Sequence, residues 1–233
     1  FIPSQATEVE KRAVLDAARN AGAKSANIIE EPLAAAIGAG LDITKPNGIM
    51  VVDIGGGTCD IAVISLGGIV VRKSIKIGGD RFDEAIIKYI GEKTAEDLKI
   101  EIGSAFKGDR NEKLSMKGRN LITGLPDEVE IVTEEIREAL SDSVDQITQN
   151  VKLVLEQTPP EISADIIEEG ILMTGGGSLL HGLDKLIEYE TGIRTIIADH
   201  SVECVVEGTG KVLQYIDKFG AQIYDSEVVL IEE

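Results

Sequence analysis

Tryptophan is absent from this 233-residue chain, and aromatic residues together make up 3% of it. So few rings leave nothing for nucleic-acid bases to stack on. Basic residues are also scarce: 23 Lys and Arg stand against 41 Asp and Glu, a formal net charge of -18 at pH 7. Holding a phosphate backbone needs a basic surface, so nucleic acid is excluded as a partner on charge as well. The two cysteines, Cys59 and Cys204, have no metal-ligand spacing and make no disulfide framework, which fits a reducing cytoplasm. His181 and His200 stand isolated, and neither is a candidate for catalysis. No apolar run approaches the ~20 residues of a membrane helix, and no repeat occurs at solenoid periods. What remains is 43% hydrophobic and 27% charged, an ordinary soluble composition with enough core for one large domain or two small ones.

Against that background one stretch stands out, Ile49–Asp60, reading I-M-V-V-D-I-G-G-G-T-C-D. The apolar run Ile49–Val52 predicts a buried strand ending at an acid, Asp53. Three glycines, Gly55, Gly56 and Gly57, and then Thr58 turn the chain into a second β-branched run, Ile61–Ser65. Glycine lets a ligand approach the main chain closely. Bare amides in such a turn make an anion cradle, and a carboxylate beside them suits a hydrated divalent cation. A plain β-hairpin also tolerates Gly-Gly, but it needs no acid at the strand end, no third glycine and no hydroxyl. The usual nucleotide fingerprints fail. A G-x-G-x-x-G beginning at Gly55 meets Asp60 where its last glycine belongs. Gly210-Lys211 is followed by Val212, with Val205 where a P-loop would begin.

The rest of the chain predicts an α/β arrangement. Thr7-x-x-Glu10 is a capping box opening a helix that runs to Gly22, with Val9, Ala13, Val14 and Ala17 at helical spacing. Ala26–Ile29 predicts a short strand that delivers Glu30 and Glu31 to its carboxyl end, before a helix over Leu33–Ala39 opened by Pro32. An acid there stands where open α/β sheets place ligands; equally, both acids could merely favour the helix N-terminus. After the Lys45–Gly48 turn and the central strand come strands over Asp60–Ser65 and Ile69–Lys76, which predict a three-stranded meander. Gly78-Gly79-Asp80 opens a helix with Phe82, Ile86, Ile87 and Ile90 on one face. Thr94–Gly103 places Glu96 and Lys99 on one side of another helix, as a ligand pair or as a surface ion pair. Short β-like pieces surround Gly118 and Gly124. A long helix starts at Thr133, its core stripe Ile136, Leu140, Val144, Ile147, Val151, Val154 and Leu155, and it ends before Pro159-Pro160. The apolar runs Ile166–Ile167 and Ile171–Met173 lead to a second glycine turn, Thr174-Gly175-Gly176-Gly177-Ser178, a tight strand-to-helix connection. A strand over Ile193–Ala198 and a helix over Gly208–Ile216 follow, and the tail Val228–Glu233 alternates poorly.

D-I-G-G-G-T-x-D, followed by a hairpin and I-G-G-D-R-F-D (Ile77–Asp83), resembles the second phosphate loop of the actin-like ATPase superfamily. Three further blocks, Ile28–Leu41, Thr94–Gly103 and Ile171–Asp184, narrow the resemblance to the MreB-type bacterial actins, over about Pro3 to Gly220. The fold this implies is an actin-like (ribonuclease H-like) sheet domain flanked by helices with a small inserted α+β subdomain. Residues 1–42 with 209–233 would be the remainder of a first domain, 43–91 and 133–208 a second core domain, and 92–132 the insertion. The resemblance implies ATP and Mg2+ as ligands. Glu31, rather than Glu30, aligns with the residue that polarises the attacking water, and Asp53 would hold the cation through water. Gly55, Gly56, Gly57 and Thr58 would cradle phosphates, and Thr58 joins Glu31 and Asp53 as a catalytic residue. Glu96, Lys99, Gly175, Gly176, Gly177 and Ser178 would hold the nucleoside. Slow hydrolysis would time a filament of self-associated copies that organises cell-wall synthesis with membrane-associated shape proteins under the inner membrane, determining rod shape. In that family a segment carrying the first phosphate loop precedes Phe1, and the same missing part holds the hydrophobic loop or N-terminal amphipathic helix that attaches the filament to the membrane, so the present chain is expected to bind nucleotide weakly by itself. A chaperone-type ATPase would carry a peptide-binding domain after the core, and a sugar kinase much larger insertions.

Overall fold

The computed structural model describes residues 1–90, 95–119 and 126–213. Five strands form its central sheet: β1 (Ile49–Ile54), β2 (Cys59–Ser65), β3 (Gly68–Ile75), β6 (Ile171–Thr174) and β7 (Thr195–Ile197), in the order β3-β2-β1-β6-β7. The first three make the expected antiparallel meander, and β6 and β7 add in parallel on the other side of β1. Strand β1 thus sits at the centre, with Asp53 directly opposite Asp60 on β2 and Thr174 on β6.

Both faces of the sheet are covered, which is why β1 reads as a continuous apolar run rather than an alternating one. Met50, Val52 and Ile54 face a core built with α3 (Gly79–Ile90), α5 (Thr133–Gln157) and α7 (Leu183–Thr191). The α5 stripe is the predicted one: Ile136, Leu140, Val144, Ile147, Val151 and Val154 are buried, and Leu155 packs beside them. On α3, Phe82 and Ile86 are buried and Ile87 half-buried. Val51, Ile64 and Leu172 point to the opposite face, against α2 (Glu31–Gly38) and α8 (Cys204–Val212). These two helices approach to backbone contact. A Cβ on Gly38 would come 1.8 Å from the Cys204 carbonyl oxygen, and one on Gly208 would come 1.8 Å from that of Ala34. A two-stranded sheet of β4 (Lys113–Arg119) and β5 (Pro126–Val132), which follows α4 (Ala95–Glu101) in the chain, is separate from the main sheet.

Several expectations need correction. Ala26–Ile29 is not a strand: its edge pairs through a single bridge, Ile2 with Glu30, because Ile2 supplies the only partner among the described residues. The apolar run Ile166–Ile167, for which the sequence predicts no element of its own, lies in a helix, α6 (Pro160–Glu169), which Pro160 opens at its first turn. The last described helix begins at Cys204, earlier than Gly208, and Ile216 lies outside the described residues. Helix α1 (Glu8–Asn20) has the predicted Thr7–Glu10 capping box, yet it buries no residue, and Val9 and Val14 are exposed. Thr94, Gly124, the Ile90 side chain and the tail Val228–Glu233 lie outside the described residues.

Candidate functional site

The two glycine turns leave neighbouring parallel strands at the same end: β1 runs into Gly55–Thr58 and β6 into Gly175–Ser178. The carboxyl ends of such strands are where open sheets place ligands. In the first turn the Gly55 amide donates to the Thr58 carbonyl at 2.9 Å, so it is consumed by the turn itself. The amides of Gly56, Gly57 and Thr58 carry no hydrogen bond among the described residues. The N-terminus of α3 holds the back of this turn. Its otherwise unpaired amides on Gly79 and Asp80 donate to the Gly55 and Gly56 carbonyls at 3.0 and 2.9 Å. Gly78 must be glycine for this, since a Cβ there would lie 2.4 Å from both carbonyl oxygens. With the carbonyls drawn toward α3, the exposed peptides of Gly56 and Gly57 remain open on the other side.

Above the turn lies a cavity of about 390 Å³. It brings together Gly55, Gly56, Glu96, Lys99, Gly176 and Gly177 of the predicted set, and adds Gly79, Asp80 and Asp83, which sequence reasoning missed. Lys99 is not paired with Glu96. Its Nζ lies 2.7 Å from Asp83 Oδ1 and 3.5 Å from the Gly79 carbonyl, which ties α4 to α3 across the cavity wall. Glu31, Asp53, Thr58, Gly57, Gly175 and Ser178 do not line this cavity.

The second turn is built mostly by packing. A Cβ on Gly175 would come 2.3 Å from the Ile54 carbonyl oxygen, and one on Gly177 would come 2.4 Å from the Ile54 side chain, while one on Gly176 would make only an ordinary contact of 3.9 Å with Val202. The buried Ser178 hydroxyl donates to the Gly175 carbonyl at 2.6 Å and is spent inside the turn.

Beneath the first turn sits a group of acids. Asp53 is 5% exposed, and its Oδ1 accepts a hydrogen bond of 2.7 Å from the fully buried Thr174 hydroxyl. Burial pushes the Asp53 carboxyl up; the Thr174 bond works against that and Asp60 adds to it. Asp60, also buried, accepts the Ser4 amide at 3.0 Å. Glu31 is the first residue of α2, and burial, then Asp60 and Asp53, raise it to about 7. Glu30 turns away and pairs with Arg72 on β3. Thr174 and Asp60 escaped sequence reasoning because each reads as an ordinary strand residue; the signal was their register opposite Asp53. Burial pushes the Cys59 thiol up, and the residue packs in the core. Among the described residues no three His, Cys, Asp or Glu side chains are disposed to hold a metal ion. The Asp53 carboxylate, at the strand end that leads into the unpaired amides, does suit a hydrated Mg2+ shared with phosphates, which needs only one or two protein carboxylates.

A mixed sheet in this order, helices on both faces, a glycine turn on each of two adjacent parallel strands and a small hairpin unit define an actin-like fold. The MamK double helical filament has the same fold, with a TM-score of 0.70 at 21% identity over 91% of this chain and 67% of that one. Within that class the chain belongs to the MreB/Mbl family, whose model, described as MreB/Mbl protein, matches residues 1–221. The cell shape-determining protein MreB of Escherichia coli (strain K12) is 49% identical over 234 residues, covering 97% of this chain and 67% of that protein. MreB5 of Spiroplasma citri, solved bound to ADP, has a TM-score of 0.87 and 43% identity over 93% of this chain and 68% of that one. The same protein bound to AMPPNP matches equally well.

Proposed function

We propose that this protein is a filament-forming bacterial actin that binds ATP with Mg2+, hydrolyses it slowly and thereby determines cell shape. The observation that carries the reading is the cavity of about 390 Å³ lined by Gly55 and Gly56 of one glycine turn and by Gly176 and Gly177 of the other, with the Gly56 amide unpaired among the described residues. A relative 43% identical is bound to ADP in its structure, and one 49% identical is named for cell shape.

In this reading Gly56, Gly57 and Thr58 donate to phosphate oxygens, and Asp53 holds the cation through water. Mg2+, when bound, supplies charge neutralisation for the phosphates. Glu31 orients the attacking water, and its raised pKa of about 7 suits a base working near neutrality. Glu96 and Lys99 contact the nucleoside, with Gly176 and Gly177 beneath it. Phosphoryl transfer needs little beyond such positioning and charge stabilisation. Residues 1–42 and 209–233 belong to a first domain, 43–91 and 133–208 to a second, and 92–132 to an insertion. The filament works under the inner membrane with membrane-associated wall-synthesis and shape proteins.

Calorimetric titration of ATP with Mg2+ into the protein tests this. Weak but saturable binding, with sedimentable polymer forming only when nucleotide is present, is the expected result. Absence of binding would return both turns to the status of simple connections.

A further inference from the structure

Residue 174 is an odd place for a hydroxyl. It closes a strand whose other members, Ile171, Leu172 and Met173, are apolar and buried, and it is itself fully buried. Valine would fill the same space in such a strand. The hydroxyl instead donates to Asp53 Oδ1 at 2.7 Å, between residues that are direct register partners on β6 and β1. Gly175 closes the same oxygen in from the next position, since a Cβ there would lie 2.9 Å from it. One oxygen of Asp53 is therefore committed to the protein, and the other carries no hydrogen bond among the described residues.

We infer that Thr174 is a positioning residue, whose hydroxyl fixes the plane of the Asp53 carboxylate so that its second oxygen is presented to the hydrated cation of a bound nucleotide. The inference rests on the nucleotide-binding reading above and adds to it a residue outside the glycine turns. Its physical basis is the softness of the Asp side chain. The terminal torsion of a carboxylate is broad and roughly two-fold, so without a fixed donor neither oxygen is singled out. Groups that orient a metal-directed carboxylate typically matter by 10- to 100-fold in affinity or rate. The same bond also joins the bases of the two turns, tying the phosphate side of the cavity to the nucleoside side.

The test compares the unaltered protein with Thr174→Val and Thr174→Ser, measuring nucleotide affinity by calorimetry in Mg2+ and again in excess EDTA, with thermal melting as a check on folding. Thr174→Val is expected to weaken affinity about tenfold in Mg2+ and leave it unchanged in EDTA. Thr174→Ser, which keeps the donor, is expected to restore the Mg2+ response. If Thr174→Val does not fold, Thr174→Ala, also without a donor, carries the same comparison. Equal losses with and without Mg2+ would make Thr174 a packing residue and overturn the inference, as would an unchanged Mg2+ response or a failure of Thr174→Ser to restore it. An unaltered protein that binds no nucleotide would overturn the parent reading and this one with it, and only that outcome touches both.

Discussion

At the scale of single residues, the acids beneath the first glycine turn set activity against stability. Burial, then Asp60 and Asp53, raise Glu31 from an ordinary value of 4.5 to about 7. A carboxyl with a raised folded pKa binds more protons folded than unfolded between those two values, so stability falls as pH climbs through that window. Above it the ionised Glu31 costs about 2 kcal/mol, a figure already reduced for its partial exposure. Glu31→Gln removes that charge without changing shape. Urea denaturation is expected to show Glu31→Gln more stable than the unaltered protein by about 2 kcal/mol at pH 8, with little difference at pH 5. On the proposed function, any ATP hydrolysis is expected to fall about a hundredfold, because the attacking water would lose its orienting group. A variant equally stable at both pH values would mean that Glu31 carries no such strain.

At the scale of elements, the seam between α2 and α8 rests on glycine for a reason that can be separated from helix propensity. Gly208 and Gly210 lie two residues apart on α8, but a Cβ on the first would collide with the Ala34 carbonyl at 1.8 Å, and one on the second meets nothing within 4 Å. Gly208→Ala is expected to lose about 3 kcal/mol or more, since backbone cannot yield as a side chain can. Gly210→Ala is expected to gain about 0.5–1 kcal/mol through helix propensity and a less flexible unfolded chain. Denaturant melts of the two variants decide it, and a reversed order would show that the helices are not in backbone contact. Helix α1 offers a contrast: its capping box is intact but it buries nothing. Thr7→Ala is therefore expected to speed amide exchange within α1, at a local cost of about 1 kcal/mol, and to leave global melting unchanged. Most elements were legible in the sequence because their apolar periods are long. The α5 stripe and the β1–β2–β3 meander needed no tertiary information. Ala26–Ile29 misled because a strand requires a neighbour as well as a composition. Helix α6 was hidden because Pro159-Pro160 reads as an ending, although Pro160 also begins the next helix.

At the scale of the whole molecule, the candidate site was half legible for a comparable reason. Glycine turns announce themselves locally, so Gly55, Gly56, Gly176 and Gly177 stand out in the sequence, and the fold brings them to one cavity. Pairings across the sheet do not: the Asp53–Thr174 bond spans 121 residues and the Ser4–Asp60 bond 56. The Lys99–Asp83 pair, which displaces the local Glu96 partner, likewise depends on where α3 meets α4. Charge acts at the largest scale. A net charge of -18 on 233 residues means that copies of the chain repel one another as they approach. That repulsion reaches about 30 Å at 0.01 M ionic strength and about 8 Å at 0.15 M. If filaments close mainly through apolar surface, screening helps assembly, and the critical concentration measured by pelleting with ATP should fall several-fold from roughly 0.01 to 0.15 M salt. If assembly instead weakens as salt rises, the subunits must meet through matched opposite charges, with the scarce Lys and Arg residues concentrated at the seam. Nucleotide affinity measured over the same salt range separates the two effects, because a site shielded within the cavity should respond far less than the contact between copies.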